Sequence, residues 1–137
     1  MPVLPGPLWS GTICRHRRVR IAYLSADFHR HATAYLITAL FELHDRTRFE
    51  VLGVSFGADD HSDMRRRLVK SFDRFYDIES KTDADVAKLL AELQVDIAVD
   101  LKGYTQDARP GILAHRPAPI QINYLGYPGT IGASFID

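Results

Sequence analysis

Titratable and hydroxyl-bearing residues cluster at three points of this chain, each at the end of an apolar run. The first is "LSADFHRHATAYL", Leu24 to Leu36, with Asp27, His29 and His31. The second is "DLKGYTQDAR", with Asp100, Lys102, Gly103, Tyr104 and Thr105. The third is "LGYPGTIG", with Gly126, Tyr127, Pro128, Gly129 and Thr130. His31 stands just before helix-like spacing. A helix N-terminus disfavours imidazolium, so the ring there is neutral and able to accept a proton from an incoming hydroxyl. The plain alternative is a solvated or capping histidine. His29 reads as a solvated loop residue, and Asp27 as an acceptor for loop amides or an orienter of the histidine. Lys102 is a cation that can face a phosphate or only water. Gly103 permits a sharp turn, and Pro128 fixes one φ angle in a loop whose backbone amides can approach a ligand.

Elements of alternating type must hold these groups. "VRIAYLSADF" reads as a buried strand. From Thr33 the residues Leu36, Ile37, Leu40 and Leu43 recur at helical spacing, predicting one apolar helix face ending near His44. "FEVLGVSFG" is a second strand, "MRRRLVKSF" a short helix and "DRFYDI" a short third strand. Thr82 and Asp85 predict a capping pair before a helix bearing Val86, Leu89, Leu90 and Leu93. "VDIAVDL" (Val95 to Leu101) is a fourth strand. "QDARPGILAHRP" is a loop with one helical segment, and "IQINYLG" a fifth strand. Such alternation predicts an α/β, Rossmann-like parallel sheet with flanking helices. Residues 1–18 read as an irregular lead-in and 19–137 as one domain. Ligands of such sheets bind beyond the carboxyl ends of the strands, near the point where strand order reverses.

Composition excludes several classes. The chain has 137 residues, 25% charged and 46% hydrophobic, which is ordinary for a packed domain. Lys plus Arg equals Asp plus Glu at 17 each, so no global charge argues for nucleic acid or an acidic membrane. "RHRRVR", Arg15 to Arg20, reads as a solvated lead-in to the first strand. A single cysteine, Cys14, forms no internal disulfide and suits a reducing cytoplasm. No apolar run reaches the roughly 18 residues of a membrane span. The sequence has no P-loop, CxxC or HExxH. Its glycines do not follow the dinucleotide fingerprint, and "SADF" lacks the paired acids of a phosphoacceptor site. From the residues alone, a catalytic cleft and a noncatalytic α/β binding module both stand.

"IAYLSADFHRHATAYL", "RFEVLGVSFG", "VDIAVDLKGYT" and above all "RPAPIQINYLGYPGTIGASFID" resemble the first half of the catalytic region of protein O-linked N-acetylglucosamine transferases. The resemblance runs from Val19 to Asp137 and includes the bacterial members with tetratricopeptide repeats. It implies half of a two-domain GT-B glycosyltransferase. That enzyme moves N-acetylglucosamine from UDP-GlcNAc to Ser or Thr hydroxyls with inversion and needs no metal. It assigns His31 to the catalytic cleft. It places Gly103, Tyr104, Thr105, Gly126, Tyr127, Pro128, Gly129 and Thr130 along the same side of the cleft, and Asp27 and Lys102 beside them complete the expected substrate-binding set. Many members have proline where this chain has Ala32, and some have asparagine where it has Lys102. The implied partners are the UDP-sugar, a protein acceptor, a C-terminal nucleotide-binding half and the repeats. The chain alone is therefore expected to be inactive.

Overall fold

The structure, a computed structural model, describes residues 17–25, 38, 40–57, 59–101, 109 and 111–123. Its elements are β1 (Val19–Ser25), β2 (Phe49–Ser55), α1 (Asp63–Ser71), β3 (Arg74–Asp77), α2 (Asp83–Glu92), β4 (Ile97–Asp100), α3 (Gly111–Ala114) and β5 (Ile120–Asn123). Residues 40–43 are also helical. The five strands form one sheet in the order β3-β2-β1-β4-β5, and every pairing is parallel. The chain walks outward from β1 through β2 to β3. It then returns past β1 to lay down β4 and β5 on the other side. Strand order thus reverses between β1 and β4, where Leu24 faces Asp100.

From Ile21 onward β1 is buried at every residue, because helices cover both faces of the sheet. Successive side chains still part to opposite faces. Ala22 and Leu24 join Leu52, Val54, Val86, Leu90, Ile112 and Leu113, so α2 and α3 lie on their side. Ile21 and Tyr23 join Phe41, Val51, Leu68 and Phe72, so residues 40–43 and α1 cover the other. One core is mainly aliphatic. The other is built on rings: Phe41 lies 4.7 Å from both Tyr23 and Phe72, centroid to centroid. Gly53 sits under this ring cluster. A Cβ there would come within 2.6 Å of the Phe72 ring and 2.8 Å of Phe75, so the strand passes only because the residue has no side chain.

Helices α1 and α2 begin at side-chain caps. Ser62 Oγ accepts from the Arg65 amide at 3.1 Å, and Thr82 Oγ1 accepts from the Asp85 amide at 3.1 Å. Each such cap stabilises its helix by about 1 kcal/mol. The capping contact expected at Thr82 and Asp85 is present, and Val86 and Leu90 are fully buried as their spacing predicts.

The helix before β2 departs from expectation. Its predicted apolar face included Leu40 and Leu43, yet these are 41% and 81% exposed. Thr38 and Phe41 turn inward instead, at 2% and 0%. The ring pocket between Tyr23 and Phe72 accepts one large aromatic, and burying Phe41 rotates the leucines outward. The basic lead-in is also more than solvated charge. Arg18 donates to Glu50 and to the Arg46 carbonyl, and Arg20 donates to the Leu93 carbonyl at 2.7 Å.

Candidate active site at the carboxyl edge of the sheet

All five strands point their carboxyl ends to one edge. The parallel ladders run past the strand ends there: Phe56 N donates to Ser25 O (3.1 Å), Ile78 N to Ser55 O (2.7 Å) and Leu101 N to Leu24 O (3.0 Å). The last residues of β1 and β2, Ser25 and Ser55, face each other and are both fully buried. Asp100 ends β4 almost as deeply. This edge therefore carries hydroxyls and a carboxylate where the strand interiors carry aliphatics.

Arg65 of α1 reaches into the edge from one face. It is 3% exposed. Its Nη1 donates to Ser55 Oγ at 3.0 Å and its Nη2 to Asp77 Oδ2 at 3.4 Å, and the guanidinium sits 4.7 Å over the Phe75 ring. A buried guanidinium is tolerable only with such partners. From the other face comes Arg109, whose Nε donates to Asp83 Oδ1 at 2.7 Å. Arg65 lies outside the three segments picked out by their chemistry in the sequence, and Arg109 closes the second of them without being singled out there. Arg65 was detectable in principle, because it stands one helical turn before the core residue Leu68. Arg109 carries no local signal, since its partners lie in a distant connection.

The amino ends of α1 and α2 also point toward this edge. Each brings its own acids, Asp63 in α1 and Asp83 with Asp85 in α2. These offset the positive end of the helix dipole, so neither terminus offers an uncompensated anion site. Among the described residues no cluster of His, Cys, Asp or Glu could hold a metal ion. A cleft of about 510 Å³ runs along the outside of α1, lined by Glu42, Arg46, Asp63, Arg66, Arg67 and Lys70. Its cations are largely matched: Arg67 meets Glu42 at 2.7 Å and Arg46 meets Asp73 at 3.0 Å. The bond from Arg67 in turn holds the Glu42 carboxyl below its usual pKa.

Apart from Asp100 at the end of β4, the residues singled out for chemistry lie outside the described residues. These are Asp27, His31, Lys102, Gly103, Tyr104, Thr105, Gly126, Tyr127, Pro128, Gly129 and Thr130. What the structure does define is where the strands leading to them stop. β1 ends beside β4, and β4 beside β5, with Asp100 opposite Asn123. The three segments thus depart from neighbouring strands on the edge where strand order reverses. That makes the domain a doubly wound α/β unit of the kind that binds ligands at such an edge.

Residues 9–137 match glycosyl transferase family 41, and the chain belongs to that family. It is 37% identical over 121 residues to the SEC protein of Arabidopsis thaliana, described as a probable UDP-N-acetylglucosamine–peptide N-acetylglucosaminyltransferase. It is 38% identical over 122 residues to the UDP-N-acetylglucosamine–peptide N-acetylglucosaminyltransferase of Caenorhabditis elegans. Each match takes in 88% of this chain but only 12% and 11% of those proteins. A solved structure of a Thermobaculum terrenum O-GlcNAc transferase variant superposes with a TM-score of 0.85 at 33% identity, covering 99% of this chain and 25% of the other. The fold is accordingly that of one Rossmann-like half of a GT-B glycosyltransferase.

Proposed function

We propose that this chain forms the N-terminal catalytic half of an inverting, cytoplasmic glycosyltransferase. The enzyme moves N-acetylglucosamine from UDP-GlcNAc to Ser or Thr hydroxyls of proteins. The observation that carries the reading is membership of glycosyl transferase family 41 across residues 9–137. The reversal of strand order between β1 and β4 supports it, because the segments with His31 and Lys102–Thr105 come directly after those two strands.

The chemistry divides between two walls. The acceptor oxygen forms its bond to the anomeric carbon as the bond from that carbon to the diphosphate breaks. The bonding pair leaves on UDP, and the hydroxyl proton must go to a base. A neutral His31 takes that proton or holds the hydroxyl in line. Asp27 steadies the loop that carries it. Lys102–Thr105 and Gly126–Thr130 line the same wall and contact substrate. The developing diphosphate charge needs cations or amide dipoles of its own. The described helix ends are already balanced by their aspartates, so this reading assigns that task to a second nucleotide-binding domain. No metal is required on this scheme. Tetratricopeptide repeats would present the protein acceptor.

The test is transfer from UDP-GlcNAc to an acceptor peptide by this chain alone and mixed with a matching C-terminal half. Activity only in the mixture, lost with His31→Ala, is the expected result. Halves that associate but transfer nothing would overturn the catalytic reading and leave a noncatalytic binding module. Full activity of His31→Ala would remove only the role given to that residue.

A further inference from the structure

Arg109 makes an unusual set of contacts for a residue in a surface connection. Its Nε donates to Asp83 Oδ1 at 2.7 Å, in the first turn of α2. Its Nη1 donates to the Ile78 carbonyl at 3.3 Å, and its Nη2 to the Lys81 carbonyl at 2.5 Å. The guanidinium also stands 5.9 Å from the Phe56 ring centre, just past the end of β2. One side chain therefore joins the connections leaving β2 and β3, the start of α2, and the residues before α3.

The partners make this a fixed anchor. Carbonyls in a turn ordinarily face water, and here two of them converge on one planar fork. Arginine alone among side chains offers several donors in that rigid geometry. Charge assistance from Asp83 strengthens the set. The side chain of Arg109 is 20% exposed, so water competes weakly for its donors. Gly111 reinforces the arrangement, because a Cβ there would run into the Asp83 carboxylate. Any larger residue at that point would have to displace the carboxylate that Arg109 holds.

We infer that Arg109 is a positioning residue that braces the carboxyl edge of the sheet and fixes where the chain that leaves β4 returns to the fold. The other end of that connection is fixed independently, by Leu101 N donating to Leu24 O at 3.0 Å. The anchor is a matter of the fold. Its consequence for turnover rests on the function proposed above.

The test compares Arg109→Lys and Arg109→Met with the parent in the full-length protein. Hydrogen exchange is read by mass spectrometry in three segments: 78–85, 101–111, and the core strands β1 and β2. Transfer kinetics are run in parallel. Arg109→Met should raise exchange at least tenfold in both edge segments while the core strands keep their protection. Arg109→Lys keeps the charge and loses the fork, so it should fall between. Where the protein transfers sugar, kcat/KM for the UDP-sugar should fall at least tenfold at unchanged core protection. Unchanged exchange in 78–85 and 101–111 overturns the brace. Equal loosening of core and edge also overturns it, because Arg109 would then be a general stabiliser. An enzyme with no transfer at all, but with the expected local loosening, sinks the proposed function and leaves the brace standing.

Discussion

The two edges of the sheet use charge in different ways. At the amino edge, Glu50 of β2 takes three arginines from the starts of its two neighbouring strands: Arg18 at 3.4 Å just before β1, Arg20 at 3.6 Å in β1, and Arg74 at 3.4 Å in β3. Asp73 accepts from the Val51 amide and from Arg46, and Asp96 from the Arg20 amide. Arg46 also donates to the Phe41 and Ser71 carbonyls. Those bonds tie strand beginnings to one another. At the carboxyl edge, charges hold connections instead: Arg65 grips the ends of β2 and β3, and Arg109 grips the turn into α2. The contrast assigns assembly to one edge and the support of departing segments to the other. A parallel sheet invites this division, because all its strands arrive at one edge and leave from the other.

Substitutions can break or sharpen that division. The largest expected effect is on catalysis. His31→Ala should lower transfer about a hundredfold or more, the usual weight of a general base. Its melting temperature should stay within about 1 °C of the parent. A matching loss of stability would put His31 on the structural side. Next is Glu50→Ala at the amino edge. Removing the one carboxylate shared by three cations should destabilise by about 1–2 kcal/mol in urea titrations, because the arginines left behind are 28–54% exposed and can hydrate. Transfer per folded molecule should not change. A specific loss of turnover would show that the amino edge also serves the cleft.

A pH dependence should follow from His44, near the same edge. Its Nε2 lies 2.7 Å from the Tyr23 hydroxyl. Burial first, and the Arg46 charge second, hold its pKa below the usual value of 6.5. The folded state thus prefers the neutral ring, while the unfolded chain binds a proton near pH 6.5. Stability from this group is present above that pH and declines as pH falls below it. His44→Gln should flatten stability between pH 7.5 and about 5 relative to the parent. An unaltered pH profile would remove His44 from the account. The smallest effect belongs to Leu43→Ser. At 81% exposure it should change stability by less than about 0.5 kcal/mol, whereas Phe41→Ala should cost about 3–5 kcal/mol. The reverse ranking would restore the leucine face that the spacing predicts.

Much of the fold was legible. The run of β-branched and aromatic residues in "FEVLGVSFG", and the spacing of Val86, Leu89, Leu90 and Leu93, mark their elements because local backbone preference and burial agree there. The helix before β2 was legible as a helix but not in its facing. Apolar spacing names a stripe; it does not say which large side chain fits the pocket waiting on the sheet. The three candidate segments were legible as polar or Gly-rich strand ends, but a role for His31 came only from resemblance to a family, since by position alone it also reads as a cap. Arg65 and Arg109 were not legible as supports, because each bonds to groups that become neighbours only after the sheet closes.

The sequence alone therefore determined the alternation of strands and helices, the cap at Thr82 and the family, because these depend on neighbours within a few residues or on a motif read whole. The tertiary structure decided the order of the strands, the outward turn of Leu40 and Leu43, the three arginines on Glu50, and the brace at Arg109. Each of these depends on groups far apart in the chain. Their free energy is gained only when distant segments share one desolvated space, and no local pattern encodes that.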